Sequence, residues 1–536
     1  MNRIPSTSLA ALLLLLVPGC GGGSRNGAAS DPAAPAQVFQ VETLQATGDA
    51  ANRINLVLLG DGYRAQDQAK LTRDARAWLA AFRDTAPYGN YAGYFNVKLV
   101  HVESQEDGAD NGMHGLGVTR PTALGAAFQN ANPAGQPPDY RLLVVDNARA
   151  QAVAFAHVPE CTKALVIVND ANYGGSGGAV PVFSVNPDSG LIALHELGHS
   201  FGGLADEYAS GDTSPLPENL EAYPNVTTRQ SPDLIKWNLW IEAGTPLPTP
   251  VTWGDADCLG LFEGAYYHAC GVFRPRHACR MRSLNDSFCD VCSEAIVRGV
   301  YGRVSPIDAA TPASPVHLAA GAAQTFTLAH PTPNPGTLQV AWFVDGIAVE
   351  ETGDRYDLPA MKPGVHEVRA SLSDATPLVR QGREGLVQSH TWTVTVASPD
   401  EAVAAAPLAA KPAAQHLLLR IARDGAGFHV AERRIVDLPL PPEPLPNPAA
   451  WQVEVHGPEG QVLFSQAVED PTLLRGEFQN AADPARIDGY RPGGERPTGF
   501  LLRMPLVEAQ RLEIFSVHAG GRRVRLGGIS NLNPAP

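Results

Sequence analysis

A mixed α/β or α+β domain followed by two β-sandwich domains is the multidomain architecture this sequence predicts. Three observations predict it. Strand-like apolar runs alternate with amphipathic helical spacing over 38–302. Short alternating strands punctuated by Gly, Pro and Asp fill 303–397 and return over 416–536. An Ala/Pro-rich stretch at 398–415, "SPDEAVAAAPLAAKPAAQ", reads as the linker between them. With 536 residues, the chain has room for two to four domains at roughly 100–200 residues each. A hydrophobic content of 44% against 18% charged residues supports sizeable cores and argues against wholesale disorder. The net charge of -15, from 55 acidic and 40 basic residues, argues against nucleic acid as a partner.

The N-terminus reads as a targeting segment. Arg3 supplies a positive start, and "LAALLLLLV" from Leu9 to Val17 is an apolar core too short to span a bilayer. "VPGC" then resembles the end of a bacterial lipoprotein signal over 1–20, which makes Cys20 the lipid-accepting residue. Gly21 is not the aspartate that retains such proteins in the inner membrane. The expectation is therefore export and a lipid anchor at the outer membrane or cell surface. Residues 21–37, rich in Gly, Ala, Ser and Pro, read as a flexible tether.

Beyond the tether, "INLVLLGDGY" reads as a buried strand ending in a Gly-Asp-Gly turn. "DQAKLTRDARAWLAAF" has the helical spacing of Leu71, Ala75, Leu79 and Phe82. "FNVKLVHVES" and "YRLLVVDN" are strand-like, and "KALVIVNDANYGGSGGAVPVFSV" reads as strand, glycine-rich turn and strand. Cys161, Cys258, Cys270, Cys279, Cys289 and Cys292 are an even set in an exported chain, so disulfides are expected. Cys289-x-x-Cys292 also fits the spacing of a structural metal site. "QTFTLAH", "LQVAWFVDG", "VHEVRASLSD" and "HTWTVTV" fit an immunoglobulin-like sandwich, and "HLLLRIA", "WQVEVHG" and "RLEIFSV" fit a second β-rich domain.

The chemistry gathers at "HELGHSFGGLADEY", His195 to Tyr208. On a helix His195 and His199 lie one turn apart on one face, so both imidazoles can reach one zinc ion. Glu196 beside them can take a proton from a water that the metal acidifies and hand it to a leaving amine. Leu191, Ile192, Leu194 and Leu197 bury the helix, Asp188 or Ser189 can cap it, and Gly202-Gly203 can end it.

This stretch resembles the zinc signature of the IgA-peptidase-type metallopeptidases (igalysins), a metzincin family of bacterial secreted enzymes. "LVLLGDGY", "VNDANYGGSGG" and "FEGAYYHACGVFRP…ACRMRSLNDSFCDVC" share the resemblance, which spans Val38 to Arg303. It implies a metzincin-like fold, one catalytic zinc, and a methionine turn at Met281 beneath it. The common metzincin spacing puts the third ligand at Ala205, which cannot bind zinc, so the longer spacing ending in Asp206 is expected. Glu207 is the alternative ligand, or a residue that orients a histidine or the turn. In metzincins the strand before the active-site helix pairs with substrate, which gives Tyr173, Gly174 and Gly175 a substrate-facing role. Tyr208, Tyr266 and Tyr267 are candidates to stabilise the oxyanion, and His101, His268 and His277 are expected not to be ligands.

The function expected is a surface-anchored zinc endopeptidase, a metallohydrolase acting on a protein or peptide substrate, with immunoglobulin or another host or environmental protein as candidates. The rival is a non-catalytic surface adhesin that retains the zincin fold.

Overall fold

The computed structural model describes residues 37–112, 117–131, 138–210, 212–255, 257–399, 415–441, 450–479, 487–490, 498–517, 522–530 and 532. Cys20, the expected signal and tether up to residue 36, and most of the 398–415 linker lie outside the described residues.

Strands β1 (Gln37–Gln45) and β2 (Ile54–Asp61) come first, and β2 is buried along its whole length. A strand that is apolar at every position needs cover on both faces. Leu56 and Leu58 point to one face, where α1 (Gln68–Asp84) lays down Leu71, Ala75, Leu79 and Phe82. Val57 and Leu59 point to the other. The chain continues through β3 (Phe95–Glu103), β4 (Ala127–Gln129), β5 (Leu142–Val144) and α2 (Asn147–His157). Then come β6 (Lys163–Val168), β7 (Gly175–Gly178), β8 (Val182–Ser184) and α3 (Gly190–Gly202). Helix α2 covers the Val57 and Leu59 face with Ala150, Val153 and Ala154, while α3 joins α1 on the opposite face.

The central sheet has the order β1-β3-β2-β6-β8-β7. Strands β3, β2, β6 and β8 are parallel, whereas β1 and β7 run antiparallel to their inner neighbours. The glycines of "YGGSGG", expected as a turn, thus form a strand instead. A hairpin of β9 (Leu259–Ala265) and β10 (His268–Arg276) follows, and α4 (Asp290–Tyr301) packs against α3.

The downstream half is β-rich. Strands β11 (Ala309–Thr311), β13 (Gln324–Ala329) and β16 (Arg355–Leu358) make one sheet. With β12 (Val316–Leu318) at its edge, the second sheet holds β14 (Leu338–Val344), β15 (Ile347–Thr352), β17 (Gly364–Asp374) and β18 (Val387–Val396). Both sheets bury one core around Trp342 and Trp392, stacked at 5.7 Å, with Phe326 edge-on to Trp392 at 4.9 Å. Farther on, β19 (His416–Asp424) and β20 (Gly427–Val436) pair with each other. β21 (Ala450–His456) pairs with β22 (Val462–Glu469). Two strands then leave this region, β23 (Leu474–Gln479) and β24 (Ile487–Tyr490), and β23 pairs with β7 of the central sheet. Finally β25 (Thr498–Pro505) returns to β19, and β26 (Arg511–Val517) and β27 (Arg523–Ile529) extend the sheet of β21. Leu419, Ile421, Val453, Leu502 and Ile514 share this last core. Among the described residues, no helix is long and apolar enough to cross a membrane.

The disulfides expected of the six cysteines are not made: Cys161, Cys258, Cys270, Cys279, Cys289 and Cys292 are all free. Cys161 is buried against the α2 face, and Cys279 and Cys292 approach only to 3.7 Å. A disulfide needs about 2.05 Å.

Asp61 closes "LVLLGD" and is fully buried. Its carboxylate accepts from the Gly62, Leu124 and Ala126 amides and from the Ser104 and Thr122 hydroxyls at 2.9–3.1 Å. The side chain thus pins the ends of β2 and β3 to the loop before β4. Asp61→Ala removes the acceptor of the buried Leu124 amide and of the Ser104 and Thr122 hydroxyls, while the Gly62 and Ala126 amides keep those two hydroxyl oxygens, and the expected loss is about 2–4 kcal/mol of stability, read as an earlier denaturant midpoint. An unchanged midpoint would show that the loop finds other acceptors.

Candidate active site

Helix α3 carries His195, Glu196 and His199, all buried. Its apolar residues Leu194, Leu197 and Phe201 face the core, which fixes the rotation of the helix and turns both histidines inward. Ser189 stands before the first turn but makes no cap bond. Its hydroxyl instead accepts from the Gly174 amide at 3.1 Å and pairs with the Ser184 hydroxyl at 2.8 Å, tying the start of the helix to the glycine strand. At the other end Gly203 takes φ 60°, ψ 29°. Glycine adopts this left-handed conformation without a Cβ clash, and the chain reverses there.

The reversal brings Asp206 back over the helix. His195 Nδ1 donates to the Arg280 carbonyl at 2.9 Å, and His199 Nδ1 donates to the Leu204 carbonyl at 2.7 Å. Those bonds leave each Nε2 with its lone pair directed inward. The two Nε2 atoms are 3.0 Å apart, and Asp206 Oδ1 is 3.2 Å from each. Donors around an ion at about 2.0–2.1 Å stand about 3.3 Å apart, so the three side chains fit one metal ion. Burial pushes the Asp206 carboxyl up, but His199 and His195 beside it outweigh that effect and hold Asp206 well below the usual carboxylate range.

Two further residues set this carboxylate: Asn225, which nothing in the sequence singles out, and Tyr267, which the sequence offers for the oxyanion. Asn225 donates to the Ala205 carbonyl and accepts from its amide, both at 2.8 Å, and so fixes the residue before Asp206. The Tyr267 hydroxyl donates to Asp206 Oδ2. Tyr266 and Tyr267 have φ values of 49° and 67°, strained for aromatic residues. The strain is held by pairing of this turn with the returning chain: the Tyr266 amide donates to Asp206 O at 3.0 Å and the Tyr267 amide to Tyr208 O at 2.9 Å. The Tyr267 hydroxyl therefore aims at Asp206.

Glu207 points the other way. Its Oε1 accepts from Asn225 at 2.9 Å and from the Cys292 thiol at 3.1 Å. Burial, with Cys279 nearby, pushes its carboxyl well above the usual range. Its amide donates to the Met281 carbonyl at 2.7 Å. Met281 is fully buried beneath Gly198, where an added Cβ would stand 3.0 Å from its sulfur.

Glu196 lies beside the imidazoles and under β7. A Cβ on Gly177 would stand within 1.9 Å of the Glu196 carboxylate oxygens, so only glycine lets this strand pass. Gly174 and Gly175 are packed against Phe128 and Ile192 rather than facing outward, and Tyr173 rests on the cluster of Ile192 and Tyr208. Tyr208 is buried edge-on to Tyr267 at 5.1 Å. His101 contacts Gln68 and Glu42, His268 contacts the Tyr266 and Ser214 carbonyls, and His277 lies against Phe262, all away from the three donors.

A buried His-His-Asp set with a glutamate beside it, under a glycine strand, is the apparatus of a metallopeptidase. Residues 42–259 and 253–300 match the family model of the IgA Peptidase M64, which supports that family, a metal ion and a peptide substrate for this part of the chain. No curated protein matches the chain. Among solved structures, it is similar to the Clostridium thermocellum CbhA fibronectin(III)-like modules, at 9% identity over 37% of this chain and 93% of that one, with a TM-score of 0.14. It is also similar to Bacteroides ovatus SGBP-B of a mixed-linkage glucan utilization locus, at 11% identity over 40% of this chain and 66% of that one, with a TM-score of 0.14. Likeness at that level assigns neither fold nor function.

Tyr267→Phe removes the donor on Asp206 Oδ2 and keeps the ring. Metal affinity is expected to fall about 10–100-fold, measured by competition against a chelator. Equal affinity in the variant would remove Tyr267 from the positioning of Asp206.

Proposed function

We propose that this chain is an exported zinc endopeptidase, lipid-anchored through Cys20, with a metzincin-like catalytic domain followed by two immunoglobulin-like sandwiches. The observation that carries the reading is the convergence of His195 Nε2, His199 Nε2 and Asp206 Oδ1 within 3.0–3.2 Å, with Glu196 alongside. Imidazole and carboxylate donors with no thiolate suit a catalytic zinc.

When bound, the ion supplies the Lewis acidity that activates a water and polarises the scissile carbonyl. Glu196 accepts the proton of that water as its oxygen adds to the carbonyl carbon, and returns it to the amine nitrogen as the C–N bond breaks. The hydrogen bonds on His195 Nδ1 and His199 Nδ1 keep both rings in the tautomer that presents Nε2. Strand β7 aligns an extended substrate by main-chain pairing, and Gly177 keeps that strand against Glu196. This apparatus selects a peptide bond and leaves the flanking side chains to the cleft walls.

Glu196→Gln keeps the shape and loses the proton acceptor. It is expected to retain metal while cleavage of casein falls about 10²–10⁴-fold. Undiminished cleavage would remove Glu196 from the role, and chelator-insensitive zero activity in both proteins would favour a binding protein. Gly177→Val is expected to abolish cleavage at unchanged metal content, because its side chain collides with the Glu196 carboxylate. Normal turnover there would place the substrate strand elsewhere.

A further inference from the structure

We infer that the chain binds a second, structural zinc ion through Glu207, Cys279, Cys289 and Cys292. One ligand atom from each lies within 4.8 Å of the others, and all four residues are fully buried. Cys279 Sγ and Cys292 Sγ stand 3.7 Å apart. Sulfurs at about 2.3 Å from a tetrahedral zinc stand about 3.8 Å apart, whereas a disulfide holds them at about 2.05 Å. Glu207 Oε1 is 3.1 Å from Cys292 Sγ, and Glu207 Oε2 is buried with no hydrogen-bond partner. An orphaned carboxylate oxygen beside three thiols in an apolar core is costly unless a cation takes it. Three thiolates and one carboxylate select zinc over the harder divalent ions. Binding releases the thiol protons together with the proton that burial keeps on the Glu207 carboxyl, and no redox step is involved.

The position gives the ion a task. Cys279 opens the turn that carries Arg280 and Met281, closed by the Arg282 and Ser283 amides donating to the Cys279 carbonyl at 2.8 and 2.9 Å. Cys289 precedes α4 and Cys292 lies in its first turn. Glu207 follows Asp206 directly. The ion therefore fastens the methionine turn, the start of α4 and the return chain at one point, and Arg280 O within that turn holds His195. The adjacent Asp206 and Glu207 divide between two ions.

Metal analysis of the zinc-replete full chain tests this, with about two zinc ions per chain expected from two four-coordinate sites. Asp206→Ala should keep one ion, and Cys292→Ser and Glu207→Gln should each lose one. Should Cys292→Ser fail to fold, cobalt substituted into Asp206→Ala decides, since a thiolate-to-cobalt charge-transfer band is expected. No band and no metal in Asp206→Ala, or a Cys279–Cys292 disulfide on peptide mapping, would overturn the site.

A different observation carries a second inference, which rests on the proposed peptidase reading. The geometry points to the hairpin β23–β24 as an internal strap across the substrate strand. Strand β23 pairs antiparallel with β7, Leu474 opposite Gly178 and Arg475 opposite Gly177. Arg475 Nη1 lies 3.8 Å from Glu196 Oε2, with both side chains buried. Gly489 of β24 lies so close to Tyr208 that an added Cβ would stand 2.2 Å from its hydroxyl. Lys163 anchors the approach, donating to Glu469 Oε2 at 2.6 Å and to the Gly178 carbonyl at 2.9 Å. An extended peptide pairing with β7 would have to displace this segment.

Affinity for a peptide hydroxamate, measured on the full chain, should rise at least about tenfold in Arg475→Ala and in Glu469→Gln, since apparent affinity scales with the open fraction. Casein cleavage is followed in parallel. Unchanged hydroxamate affinity in both variants overturns the strap. Tighter hydroxamate binding without cleavage in any form keeps the strap and overturns the peptidase reading.

Discussion

The hydrogen bond from the Glu207 amide to the Met281 carbonyl joins two segments that are 74 positions apart. On one side of it, Asp206 is delivered to the two imidazoles. On the other, the turn of Arg280 and Met281 is delivered beneath α3, where Arg280 O orients His195. A site of this kind needs its donors held within a few tenths of an ångström, and loops do so only when their backbones are tied to rigid elements. Here the ties are backbone bonds from the returning chain to the methionine turn and to the strained Tyr266-Tyr267 corner.

The remainder of the N-terminal half serves that geometry. A parallel sheet buried on both faces fixes α3 through Leu194 and Leu197, so the direction of the histidines follows from packing rather than from helix propensity. Next to β8 the sheet carries an antiparallel, glycine-rich strand, which permits main-chain approach to Glu196 at the expense of strand propensity. Local preference is overridden where the site requires it, as is common at functional positions.

Much of this was legible. The helix of His195 and His199, its apolar face, its glycine end, strand β2 and helix α1 all follow from periodicity and punctuation that local physics enforces. The downstream strands were legible for the same reason, since alternation marks a sheet with one buried face. Other features were not. Tyr267 and Asn225 act on Asp206 from 61 and 19 positions away, and nothing local marks a tyrosine or an asparagine as a partner of a distant carboxylate. Glycine composition signals flexibility and so reads as a turn, and only pairing with β5, β8 and β23 makes this segment a strand. The even count of cysteines suggested disulfides, because composition cannot tell a crosslink from a cluster.

The sequence by itself determined that two imidazoles and a glutamate share a helix, because spacing along a helix maps directly onto a face. It also determined that the residue ten positions on, Ala205, cannot close the set. Only the tertiary structure puts Asp206, and not Glu207, against the two imidazoles. Adjacent residues in an extended segment point to opposite sides, so which carboxylate meets the histidines depends on where the chain re-enters. That point is fixed by contacts with Asn225, Tyr267 and Met281, none of them local, and it sends Asp206 to the imidazoles and Glu207 to the cysteines.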